Sequence, residues 1–219
     1  MKKYLVIGNP IEHSLSPLLH NFWIKKYGVN AIYEKKFLEK NDIEKTLNDM
    51  RESKTEGINV TVPFKKQVIP FLDHLSDTAQ KTHSVNTIFK RQNKLVGDNT
   101  DVYGFSQAIK LTNFNLKNKK ALILGAGGVV PSIILALKNM GILEIVLSNR
   151  TKAKAENLKK ELEKNGTKIY LAKGDLSKEI DVNKVVKFAK SKLKYFDCLI
   201  NNASLFENDK LENFTTDSW

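Results

Sequence analysis

An α/β fold of two units, the second built on a doubly wound parallel sheet, is predicted by three observations. Short apolar strands alternate with amphipathic helices from one end of the chain to the other. A glycine turn, Gly125-Ala126-Gly127-Gly128, lies between an apolar strand and a helix. The 219 residues exceed one small domain and fall short of two full ones. Hydrophobic residues at 41% and charged residues at 27% sit near globular averages, which excludes wholesale disorder. Apolar runs such as 121–124 and 129–137 fall well short of the roughly 20 residues that cross a bilayer. The amino terminus shows no leader pattern. A cytoplasmic protein with no membrane partner is therefore expected. Cys198 is the single cysteine, so neither an internal disulfide nor a cysteine metal cluster is available.

In the first unit, Tyr4–Gly8 reads as a strand. Ser16 is expected to cap a helix that has Pro17 at its first position, Leu18, Leu19, Phe22 and Trp23 along one face, and Gly28 as its stop. Residues 31–38 form the second strand, 42–51 a helix burying Ile43, Leu47 and Met50, and 57–62 the third strand. Helical stretches from Phe64 and near Thr78, then a strand pair over 85–89 and 94–96, complete this unit. A helix over 102–111 and the polar connector 112–120 lead into the second unit. There the expected strands are 120–124, 144–148, 168–172 and 196–200, and the expected helices are 131–140, 152–164 and 182–193. The division follows as a first domain of about residues 1–105 and a second of 106–219.

The net charge of +12 raises nucleic-acid binding, yet only three of 36 basic residues are arginine. Lysines spread along every segment describe solvated faces rather than a reader of phosphates and bases, so no nucleic-acid partner is expected. The positive field would instead concentrate small anionic ligands.

Glycines in the turn 125–128 let a backbone approach a pyrophosphate, and the helix that follows offers free N–H groups. The third glycine of the usual fingerprint is replaced by Val130. A structural tight turn is the alternative. Where an NAD site would place a carboxylate, at the end of the next strand, this chain has Asn149-Arg150-Thr151 followed by Lys152 and Lys154. Those cations suit the 2′-phosphate of NADP, while an ordinary solvated helix start is the bland alternative. In the first unit, four polar clusters end or follow apolar strands: 14–17, 59–65, 84–87 and 97–101. Each alone is a cap or a turn. Together they place hydroxyls, amides, a lysine and a carboxylate around one crevice fit for a small polyhydroxylated molecule.

The stretches 8–17, 59–65, 85–87, 97–101, 125–128 and 149–151 resemble, in order and spacing, the motifs of the shikimate dehydrogenase family. The resemblance implies NADP-dependent reduction of 3-dehydroshikimate to shikimate in aromatic amino-acid biosynthesis. It implies that Ser14 and Ser16 bind the substrate carboxylate and that Thr61, Lys65, Asn86 and Asp101 hold its oxygens. Lys65 and Asp101 would be the catalytic pair. Gly125, Ala126, Gly127, Gly128, Asn149, Arg150, Thr151 and Lys154 would hold the cofactor. Lys65 suits that role on chemical grounds too, because reducing a ketone leaves negative charge on oxygen that a nearby proton donor must meet. The four histidines lack metal-ligand spacing and read as structural or surface residues. A quinate/shikimate dehydrogenase, or a catalytically weak module binding NADP or substrate, are the alternative readings.

After about residue 151 the likeness changes. Gly174-Asp175-Leu176, the helix over 182–193 and residues 197–204 are similar to the middle of the short-chain dehydrogenase/reductase family. That family's Tyr-x-x-x-Lys pair occurs nowhere in the chain. The second unit is accordingly expected to be an incomplete, truncated or hybrid Rossmann-type NADP domain. The sheet edge left open would allow self-association into a homodimer.

Overall fold

The computed structural model describes residues 1–151, 153, 155–156, 159–160 and 168–203. Two sheets organise it. The first has the order β2-β1-β3-β5-β6-β4, from β1 (Lys2–Gly8), β2 (Ala31–Phe37), β3 (Gly57–Val60), β4 (His74–Leu75), β5 (Thr87–Arg91) and β6 (Lys94–Asp98). Strands β1, β2 and β3 run parallel, whereas β5 is antiparallel to both β3 and β6. This sheet is therefore mixed rather than parallel throughout. The reversal falls between β3 and β5, across the connection that carries β4; the two-residue turn Gln92-Asn93, both at positive φ, then brings β6 back parallel to β3.

One face of this sheet is covered by α2 (Ile43–Arg51), whose Ile43, Leu47 and Met50 pack with Leu5, Ile7, Ile58, Phe64 and Ile88. On the other face α1 (Ser16–Lys26) meets Val6 and Tyr33. The expected apolar stripe of α1 does not turn inward: Leu18 is 74% exposed and Phe22 59%. Asn21 sets this rotation. Its side-chain amide donates to the Tyr33 carbonyl at 2.8 Å and accepts the Tyr33 N–H at 2.9 Å, docking the helix on the outer edge of β2. Nor does Ser16 cap the helix; it is the first helical residue, and its N–H reaches Ser14 Oγ at 3.4 Å. The helix expected from Phe64 is instead a run of turns ending in a 3-10 segment, Ile69–Phe71. Pro63 and Pro70 bracket that run, removing N–H donors and disfavouring helical backbone in the residue before each.

The second sheet has the order β9-β8-β7-β10, from β7 (Lys120–Leu124), β8 (Glu144–Asn149), β9 (Lys168–Lys173) and β10 (Cys198–Asn201), with every pairing parallel. In chain order this is 3-2-1-4, the beginning of the dinucleotide-binding arrangement. Helix α5 (Val130–Asn139) covers one face through Ile133, Ile134 and Leu137, and α6 (Glu179–Leu193) covers the other through Val185, Ala189 and Leu193. Burial on both faces explains why β7 and β8 read as continuous apolar runs instead of alternating. The expected helix over 152–164 is helical at residues 153, 155, 156, 159 and 160; its remaining positions lie outside the described residues. Among the described residues no helix is long and apolar enough to cross a membrane.

Helix α3 (Asp77–Thr82) and helix α4 (Asp101–Leu111) link the two sheets. Val102 of α4 packs on Leu135 and Ala136 of α5. Beside them a buried polar joint crosses between the halves. Asn99 Nδ2 donates to the Ser84 carbonyl at 2.9 Å and lies 3.0 Å from Ser132 Oγ, whose hydroxyl is 3.2 Å from Asn99 Oδ1. Ser132 is fully buried on α5, and Asn99 is 3% exposed.

Candidate active site

Three of the polar clusters of the first unit, 59–65, 84–87 and 97–101, meet at one end of the strands of the mixed sheet. Because β1, β3 and β6 end there while antiparallel β5 begins there, Thr61, Asn86 and residues 98–101 are gathered although Asn86 precedes its strand rather than following it. At the end of β1, a Cβ on Gly8 would stand 2.6 Å from Thr61 Cγ2, so glycine is what lets the Thr61 side chain lie over that strand end. The turn after β3 then carries Lys65, whose carbonyl accepts the Val85 N–H at 2.8 Å. This bond ties the lysine's backbone to the segment bearing Asn86.

At the centre, Lys65 Nζ pairs with Asp101 Oδ2 at 2.7 Å, with side chains 17% and 23% exposed. Asp101 Oδ1 accepts from Asn86 Nδ2 at 2.8 Å, so both carboxylate oxygens are engaged. Asn86 in turn accepts the Thr100 N–H at 3.0 Å. Asp101 stands at the start of α4, where a carboxylate also meets the helix dipole favourably, and its N–H donates to Asn99 Oδ1 at 3.0 Å. Asn59 extends the network outward: its amide donates to Thr87 Oγ1 at 3.1 Å, and its Oδ1 accepts from the Tyr33 hydroxyl at 2.7 Å. Burial pushes that hydroxyl up to about 12, so it stays a donor. Ser14 and Ser16 sit at the mouth of α1 and make no hydrogen bond to Lys65, Asn86 or Asp101 among the described residues. Asn99, Thr100 and Ser132 escaped the sequence reading as individual residues. Only the unbroken polar run 98–101 marked the first two.

On the parallel sheet, Gly125 has φ of +95°, and a Cβ there would lie 2.7 Å from the Ala203 nitrogen. Glycine is required on both counts. Nothing stands within 4 Å of a Cβ on Gly128, leaving open space above the turn at the amino end of α5. Asn149 braces this turn: its Oδ1 accepts the Ala126 N–H at 3.1 Å, and its Nδ2 donates to the Thr151 carbonyl at 2.8 Å. Gly127 carries the carbonyl that accepts the Val130 N–H at 3.1 Å. Arg150, next along, lines a cavity of about 500 Å³. Lys154 lies outside the described residues. The open space at Gly128 and an arginine in place of a carboxylate fit a 2′-phosphorylated dinucleotide.

The fold and this pair of sites define a two-sheet α/β protein with a lysine–aspartate centre on one side and a dinucleotide-type glycine turn on the other. A family model for the shikimate dehydrogenase substrate binding domain matches residues 6–88, and one for short chain dehydrogenase matches residues 119–219. The shikimate dehydrogenase (NADP(+)) of Pelagibacter ubique is 61% identical over 159 residues, 73% of this chain and 60% of that relative. The crystal structure of shikimate dehydrogenase from Aquifex aeolicus superimposes with a TM-score of 0.78 at 33% identity, covering 93% of this chain and 69% of that one. The Thermus thermophilus shikimate 5-dehydrogenase in complex with NADP(H) and shikimate gives a TM-score of 0.69 at 34% identity, over 78% of this chain and 63% of that one. The chain belongs to the shikimate dehydrogenase family. It spans 57–60% of the length of the curated relatives it matches.

Proposed function

We propose that this chain carries out the NADP-dependent, reversible reduction of 3-dehydroshikimate to shikimate, in the cytoplasm. Residues 1–105 would bind the substrate and residues 106–219 the dinucleotide, with α4 running through the boundary. The observation that carries this reading is the Lys65–Asp101 pair at 2.7 Å, held by Asn86 at one end of the strands, in a chain of this family.

The bound dinucleotide would supply the hydride to the ketone carbon, or accept it in the reverse direction. As the carbonyl oxygen gains negative charge, the Lys65 ammonium gives it a proton, and the resulting amine is recharged from solvent. Asp101 Oδ2 aims Lys65, while Oδ1 and Asn86 are placed to hold a neighbouring substrate hydroxyl. Thr61 supplies a further hydroxyl over the end of β1. Ser14 and Ser16, short donors at the amino end of α1, suit a carboxylate. On the cofactor side, Gly125 to Gly128 admit the pyrophosphate, with Asn149 fixing the turn. Arg150, together with Thr151 and Lys154, serves the 2′-phosphate.

Steady-state assay of purified protein with shikimate and NADP+ tests the proposal, and quinate in parallel separates the two polyol substrates. NADP-linked oxidation of shikimate is expected. Binding of shikimate and NADP+ without turnover would favour the weak binding module, a reading motivated by the chain's 57–60% span of its relatives. Absence of both binding and turnover would overturn the assignment.

A further inference from the structure

The cavity beside Arg150 holds more positive charge than the glycine turn and the end of β8 account for. It is lined by Arg150, Lys173, Lys178, Lys184, Asp175 and Asp181, four cations against two carboxylates. Both carboxylates have close hydrogen-bond partners of their own, though Arg150 and Lys178 also act on Asp175 from a distance. Asp175 Oδ1 accepts from the Ser177 hydroxyl at 2.9 Å and the Ser177 N–H at 3.2 Å. Asp181 accepts the Asp175 N–H at 3.1 Å and pairs with Lys184 at 3.2 Å. Lys184 is thereby paired. Arg150, Lys173 and Lys178 make no ion pair within 4.0 Å among the described residues.

Backbone geometry fixes these three around one space. Lys173 is the register partner of Asn149, so it and Arg150 leave adjacent strand ends side by side. Gly174 follows, and a Cβ there would lie 2.5 Å from Val185 Cγ2, so only glycine lets the turn pack this closely on α6. Lys178 stands at the amino end of α6 across the cavity. Cations gathered in a concave site repel one another until an anion joins them, and a volume of about 500 Å³ suits a nucleotide fragment.

We infer that Lys173 and Lys178 form, with Arg150, a three-cation clamp for the 2′-phosphate of the adenosine half, and that they set the preference for the phosphorylated dinucleotide. This rests on the proposed cofactor reading. It extends that reading to residues in the part of the chain where the sequence departs from the family's motifs.

Calorimetric titration of the full chain with adenosine 2′,5′-bisphosphate and with 5′-AMP tests it without any turnover. The wild-type protein should prefer the bisphosphate. Lys173→Gln and Lys178→Gln should each narrow that preference by about three- to tenfold, and the double variant by more, with 5′-AMP affinity nearly unchanged. Lys190→Gln, which removes a charge from α6 outside the cavity, should leave the preference within about twofold, which distinguishes a clamp from a general field. A double variant that keeps the wild-type preference would overturn the clamp and leave Arg150 as the discriminating residue. A wild-type chain that binds neither nucleotide would overturn the cofactor reading and the clamp with it.

Discussion

The two sites differ in how their charges are spent. Around Lys65, polar groups satisfy one another: the lysine holds Asp101, Asp101 holds Asn86, and Asn86 holds Thr100. Around Arg150, cations face a cavity, and the turns beside it are braced by the side chains of Asn149 and Asp181. In the first site side chains bond one another, whereas in the second they hold main-chain turns. Substrate chemistry demands that a proton donor be aimed to within a fraction of an ångström, which a hydrogen-bonded network achieves. Holding a phosphate demands only charge and room.

Four measurements would break or sharpen this contrast. Lys65→Ala should produce the largest effect, a loss of about 10² to 10⁴ in turnover with NADP+ affinity nearly unchanged, read by steady-state kinetics beside calorimetry. Retention of turnover would mean that the network aims nothing. Asn99→Ala should lower stability by roughly 2 kcal/mol in urea unfolding, because it leaves the buried Ser132 hydroxyl unpaired and takes one of two donors from the Ser84 carbonyl. Arg150→Ala should weaken NADP+ binding by about 1.5 to 3 kcal/mol and NAD+ far less, since only the former leaves a phosphate unmatched. Equal losses would show that the cavity reads no phosphate. The smallest effect concerns Asp175, whose carboxyl is held below the usual aspartate range by the Ser177 hydroxyl and N–H, with Arg150 adding to the pull. A depressed carboxylate contributes stability that is present above its ordinary value and fades as pH falls through the folded one. Ser177→Ala should therefore raise the Asp175 titration, followed by carboxyl NMR, and shift the acid limb of stability slightly upward in pH.

Legibility in the sequence followed how local each cause was. Strand β7 was readable to the residue because Lys120–Leu124 is a buried run closed by glycine. Helix α1 was found, yet its orientation was not, since the inward side is chosen by Asn21 bonding to Tyr33, twelve residues away on another element. The β5–β6 hairpin was seen as a strand pair, but the antiparallel placement of β5 beside β3 was hidden, because it is set by the long connection through β4 and α3 and by no local turn. Periodicity from Phe64 onward favoured a helix, and the prolines at 63 and 70 overrode it. The Lys65–Asp101 contact spans 36 residues, and no spacing rule reaches that far. The clusters at strand ends placed a lysine and a carboxylate near one crevice, and their pairing was legible only through the family's motifs. Lys173 and Lys178 read as two more surface lysines, because their convergence depends on sheet register.

The joint between Asn99 and Ser132 bears on how the molecule comes apart. A substrate half cut from its partner would leave the Asn99 amide short of a bond and uncover Val102 and Phe105, while the other half would uncover Leu135 and Ala136. Neither piece closes its own interior. Melting should therefore be one cooperative event despite the two sheets, with calorimetric and van't Hoff enthalpies in agreement. The residue that steadies the Asp101 backbone would also be the rivet that makes the halves unfold together.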